Sequence, residues 1–105
     1  MIDDPDEAVL DQLRRAGSDL TKPHEISFYV YLPDKQSAQE AERRIRSDGD
    51  QTVVRLGADD TSWLCLITRT MIPEFNSLVA VGREIAAVAQ DLGGEYDGWE
   101  TVVVK

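Results

Sequence analysis

Few side chains in this chain are of the kinds that do chemistry. There is one histidine, His24, and one cysteine, Cys65. A histidine acting as a base needs a nucleophile or an orienting partner, and no local motif supplies one, so His24 reads as a strand-edge histidine. Cys65 stands among Leu64, Leu66 and Ile67. It reads as a buried thiol, because a reactive one needs an electropositive setting. A lone cysteine also excludes an internal disulfide. The acids Asp3, Asp4, Asp6 and Glu7 lack the alternating oxygen ligands and turn glycine of a calcium loop, and helix capping accounts for them. No glycine-rich phosphate loop, paired-cysteine zinc pattern or nucleophile elbow is present. The expectation is a protein with no catalytic residues, no metal and no cofactor, and so not an enzyme.

Two features point to binding instead. The first is the alternate set Ser27, Tyr29, Tyr31, which puts two amphipathic rings on one face of a strand. That face is either covered by the N-terminal helix or free for a partner or a second copy. The second is Tyr96-Asp97-Gly98-Trp99-Glu100, where rings and acids flank a strand glycine, the mark of a bulge or of close backbone approach. The candidate protein-binding residues are therefore Tyr29, Tyr31, Tyr96, Asp97, Trp99 and Glu100. In the last strand Trp99, Thr101 and Val103 compete with Tyr96, Val102 and Val104 for the inward face.

The elements that must position these residues follow from periodicity. Asp4 as cap, Pro5 at the first helical position and Glu7 as capping-box acid open a helix. Val9, Leu10, Leu13 and Ala16 form its stripe, and Gly17 ends it. His24 to Leu32 alternates as a strand with Ile26, Phe28 and Val30 on its apolar face. Asp34 caps a second helix with the thin stripe Ala38, Ala41, Ile45. Gln51 to Leu56 and Trp63 to Thr70 are strands. Pro73 and Glu74 start a third helix, whose repeat Phe75, Leu78, Gly82, Ile85, Ala89, Leu92 is the strongest in the chain. The last strand is expected to run through Val104. The order β-α-β-β-α-β after one extra N-terminal helix predicts an α+β ferredoxin-like plait. Its four antiparallel strands take the spatial order 4-1-3-2, with two helices on one face.

Composition narrows the partners. Residues 1–105 are expected to form one domain. Twenty acidic against eleven basic side chains leave a net charge of −9. Phosphate binding rests on clustered Lys and Arg, so direct nucleic-acid binding is not expected, whereas a basic protein surface is a suitable partner. No stretch approaches the ~18 apolar residues of a membrane span, and the acidic N-terminus is unlike a signal peptide. The expected location is the cytoplasm.

Gly17-Ser18-Asp19 after the first helix, Tyr29-x-Tyr31 followed by Pro33-Asp34, and above all Glu95-Tyr96-Asp97-Gly98-Trp99-Glu100 resemble the RraB family, regulators of ribonuclease E activity. The resemblance spans about Asp4 to Val104. It implies a ferredoxin-like α+β domain with an extra N-terminal helix. It also implies a non-catalytic protein that binds ribonuclease E, or a similar RNA-processing endonuclease, and reduces or alters its action on RNA. The best-known members carry a long acidic tail after the Tyr-Asp-Gly-Trp strand, whereas this sequence ends at Lys105. The alternative is a small-ligand-binding or homodimerising plait with no ribonuclease partner, a ligand being held over the open sheet by Tyr29, Tyr31 and Arg69.

Overall fold

The computed structural model describes residues 5–105. The elements run α1 (Pro5–Arg15), β1 (His24–Leu32), α2 (Lys35–Ile45), β2 (Gln51–Leu56), β3 (Trp63–Met71), α3 (Phe75–Asp91) and β4 (Glu95–Thr101). The expected cap Asp4, with Asp3, lies outside the described residues. In β1 the alternation is realised as burial: Ile26, Phe28, Val30 and Leu32 are shut from solvent, while Ser27, Tyr29 and Tyr31 are half-buried. The Asp34 carboxylate caps α2 by accepting from the Ser37 amide at 2.8 Å, which satisfies a donor the helix leaves free. The alanines Ala38 and Ala41 with Ile45 then lie buried on the sheet. At the end of α3 the Gly94 amide donates to the Ala89 carbonyl and the Gly93 amide to that of Gln90. This closes the helix with a Schellman turn.

All pairings are antiparallel, and the order across the sheet is β2-β3-β1-β4. Taken from the other edge this is the expected 4-1-3-2. Helix α2 packs on β1, β2 and β3, α3 packs on β1 and β4, and the two helices touch each other. Helix α1 packs on α3, with Leu10 and Leu13 joining the cluster that holds Ile26, Phe28, Leu78 and Trp99. The helices therefore share one layer over one face. Cover of the tyrosine face by the N-terminal helix, one of the two alternatives from the sequence, is not what the structure shows.

Two expectations about β4 are corrected. Phe28 pairs with Trp99 and Val30 with Tyr96, so Tyr29 alone stands opposite both Asp97 and Gly98. This is a β-bulge, and Gly98 occupies it with φ +96°, a region that glycine enters at no steric cost. The extra residue turns both Tyr96 and Trp99 inward, so the two competing sets each contribute one residue. The strand also ends at Thr101 rather than Val104. Continued, the register would set Val104 opposite Pro23, which has no N–H to extend a ladder. Beyond Thr101 the chain instead bonds to the α1–β1 loop. The Asp19 amide donates to the Val104 carbonyl at 2.6 Å, the Val104 amide to Ser18 Oγ at 3.0 Å, and Lys22 Nζ to the Lys105 carbonyl at 2.8 Å.

Candidate protein-docking face

Residues paired directly across antiparallel strands share a face, so the register defines the side of the sheet away from the helices. β1 contributes Ser27, Tyr29 and Tyr31, β3 contributes Leu64, Leu66 and Thr68, and β2 contributes Val53 and Arg55. β4 contributes Glu100 opposite Ser27 and Glu95 opposite Tyr31. Leu64, flanked by Tyr31 and Arg55, is buried there, and Val53 is exposed. The face is thus an aromatic and aliphatic centre with carboxylates along its β4 side.

The centre and the acids are joined. Tyr29 Oη donates to Glu100 Oε1 at 2.5 Å. That hydrogen bond, then burial and the Glu100 charge, raise the Tyr29 pKa above its usual value, so the phenol stays a neutral donor. At the end of the sheet a groove of about 820 Å³ opens, lined among others by Tyr31, Pro33, Asp59, Glu95 and Asp97. Its lining includes three carboxylates and no basic side chain. Asp59 is held at about 2 by the Thr61 amide and hydroxyl, then by the Ser62 amide, and is therefore charged at neutral pH. The arrangement suits a basic segment with some apolar character.

A family model described as Regulator of ribonuclease activity B, RraB, matches residues 3–101. The chain belongs to the RraB family. Membership implies a regulator of ribonuclease activity and hence a ribonuclease partner. No curated protein matches the chain. Among the described residues no helix is long and apolar enough to cross a membrane.

Within this RraB domain the candidate residues divide between the two faces. Tyr29, Tyr31 and Glu100 come together on the helix-free face, and exposed Asp97 lies beside them at the bulge. Trp99 is 8% exposed on the helix side, where its Nε1 donates to Asp6 Oδ1 at 2.8 Å. Tyr96 lies on that side too. Its ring packs over Gly82, where a Cβ would sit 3.4 Å from Cε2. Among the described residues the Tyr96 hydroxyl has no hydrogen-bond partner, and burial, then the Asp6 charge, push its pKa up.

Arg69 does not stand over the open sheet as the ligand-binding alternative requires. It pairs with Ile26 in the register and turns to the helix side. There its Nε donates to Asp50 Oδ1 at 3.0 Å and its Nη2 to Asp50 Oδ2 at 2.8 Å. Nη2 also reaches the Ile45 carbonyl at 3.3 Å, tying β3 to the end of α2. Burial alone would push the Asp50 carboxyl up. The hydrogen bonds from Arg69 and the Ser47 amide outweigh it and hold the group below its usual range.

His24, the first residue of β1, is 1% exposed. Its Nε2 lies 2.7 Å from Ser18 Oγ and its Nδ1 2.8 Å from the Lys22 carbonyl. Because a carbonyl can only accept, Nδ1 carries a proton. A serine beside a histidine has the outline of a nucleophile and base, but Ser18 Oγ is also occupied by the Val104 amide. The pair fastens the C-terminal residues to the α1–β1 loop. Cys65 is fully buried, and burial, then the Glu42 charge, raise its thiol to about 12. It is an inert thiol.

Sequence reasoning missed Glu95, Val53, Arg55 and Leu66 as members of the face. Alternation within β2 and β3 was available to find them, but only the register shows which alternate set shares a side with Tyr29.

Proposed function

We propose that this chain, a single RraB-like domain over residues 1–105 with a ferredoxin-like plait, is a non-catalytic cytoplasmic regulator of RNA degradation. It docks a basic region of a ribonuclease E-type endonuclease on the helix-free face of its sheet and inhibits or redirects cleavage. The observation that carries the reading is the Tyr29–Glu100 hydrogen bond, which sets an aromatic centre against the carboxylates Glu95, Asp97 and Glu100 on a face that no helix covers. Family membership supplies the partner class. Tyr29, Tyr31, Asp97 and Glu100 make the contacts; Tyr96 and Trp99 anchor the strand that presents them. The net charge of −9 favours a basic partner and disfavours RNA itself.

Surface-plasmon kinetics against the purified endonuclease at two salt concentrations test this reading. Exposed charges are screened over about 8 Å at physiological salt, so association slows as salt rises. The double substitution Asp97→Asn, Glu100→Gln reproduces that slowing with the fold intact. Absence of binding at micromolar concentration overturns the partner; binding that neither salt nor the double substitution alters overturns the surface.

A further inference from the structure

The two edges of the sheet are built differently. The β4 edge is broken by the bulge at Asp97–Gly98 and carries Glu95, Asp97 and Glu100. Charges and bulges are the devices that keep an edge strand from pairing with another chain. The β2 edge has no bulge, and Arg55 is its single charge. Gln51–Leu56 contains no proline, glycine or acid and pairs with β3 without a register shift. It is the terminal strand of the sheet, and Val53 and Leu56 are 47% and 44% exposed. Among the described residues no strand meets its outer row of backbone donors and acceptors.

The charge of the chain is divided the same way. Residues 33–71, which form α2, β2 and β3, carry seven acidic and six basic side chains. The rest of the chain carries thirteen acidic and five basic. The β2 side is therefore close to neutral, whereas the rest of the chain carries −8, of which Glu95, Asp97 and Glu100 of β4 supply −3. A basic partner is drawn to the β4 side; the β2 side is where two copies of this acidic chain repel least.

We propose that β2 pairs antiparallel with β2 of a second copy, joining the two sheets into one of eight strands. A twofold axis through Val53 sets Val53 against its counterpart, Thr52 against Val54, and Gln51 against Arg55, so no like charges stand opposite. The interface is isologous, as closed dimers require. The acidic β4 edges then lie at opposite ends, seven strand spacings or roughly 34 Å apart, well beyond the screening length of about 8 Å. Both helix-free faces point the same way, so the dimer presents two docking faces. This pairing does not depend on the ribonuclease reading.

Sedimentation velocity of the full chain, from micromolar to hundreds of micromolar at low and high salt, tests it. The expected result is a monomer–dimer equilibrium that strengthens with salt, as screening relieves the residual repulsion, the opposite of the salt response of a basic partner. Val53→Lys and, separately, Leu56→Lys weaken dimerisation by about tenfold or more, with unchanged circular dichroism, and Leu56→Lys, which lies on the helix side of β2, leaves endonuclease binding unchanged. Hydrogen exchange shows the amides of residues 51–56 protected only at high concentration. A monomer throughout the range at both salts overturns the proposal. So does a dimer indifferent to both lysines, or protection of residues 51–56 that appears only when a different protein is added.

Discussion

Tyr96 and Trp99 are three residues apart in β4 yet face the same side of the sheet, one against Val30 and the other against Phe28. In a regular strand residues three apart face opposite sides. The extra residue at Asp97–Gly98 makes the difference, and it also leaves Glu95 and Glu100 both outward. Gly98→Ala meets no atom within 4 Å, so its cost is the backbone conformation alone, about 1–2 kcal/mol. Denaturant melts measure it. A neutral result would mean that the bulge relaxes without strain.

Trp99 closes the core between α1 and the sheet. Trp99→Ala lowers unfolding stability by ~3–5 kcal/mol through the cavity it leaves, a large share of the roughly 5–15 kcal/mol typical of a domain. A loss under ~1 kcal/mol in the same melt would place the ring outside the core.

Gly82→Ala is expected to go the other way. A methyl group there makes only ordinary contact with the Tyr96 ring, and alanine in place of glycine within a helix gains about 0.5–1 kcal/mol. A destabilised variant would show that the ring needs the space.

The Asp50–Arg69 pair predicts a pH dependence. The folded-state pKa of Asp50 lies below the ordinary carboxyl value. Its stabilisation is therefore fully present above about pH 4, the unfolded carboxyl value, and is lost as pH falls through the lower folded value. Asp50→Asn leaves the partly buried Arg69 without its charge partner, at a cost of roughly 3 kcal/mol at neutral pH. The variant should also lose less stability than the parent between pH 4 and 2 in thermal melts. Parallel pH profiles would contradict the linkage.

Much of this architecture is legible in the residues themselves. Ile26, Phe28 and Val30 fix the buried side of β1 because a strand has period two. Leu78, Ile85 and Ala89 fix that of α3 because a helix has period 3.6. Contacts made by tertiary pairing are not legible. The side to which Arg69 turns depends on the β1–β3 register. The Ser18–His24–Val104 fastening joins residues more than eighty positions apart. The bulge was signalled by Gly98, but its effect of turning Tyr96 and Trp99 together required the pairing with β1. Of the candidate site, Tyr29, Tyr31, Asp97 and Glu100 were readable from alternation and charge, whereas Glu95, Val53 and Leu66 joined the face only through their cross-strand partners.

The most direct test of the regulator account is the initial rate of RNA cleavage by a purified ribonuclease E-type endonuclease from the same source, titrated with this protein. The account predicts that the wild-type chain lowers the rate saturably and cleaves nothing by itself. It also predicts that the Asp97→Asn, Glu100→Gln variant needs about tenfold more protein for the same effect. A cleavage rate unchanged at saturating wild-type protein, or RNA cleaved by the chain alone, would contradict it.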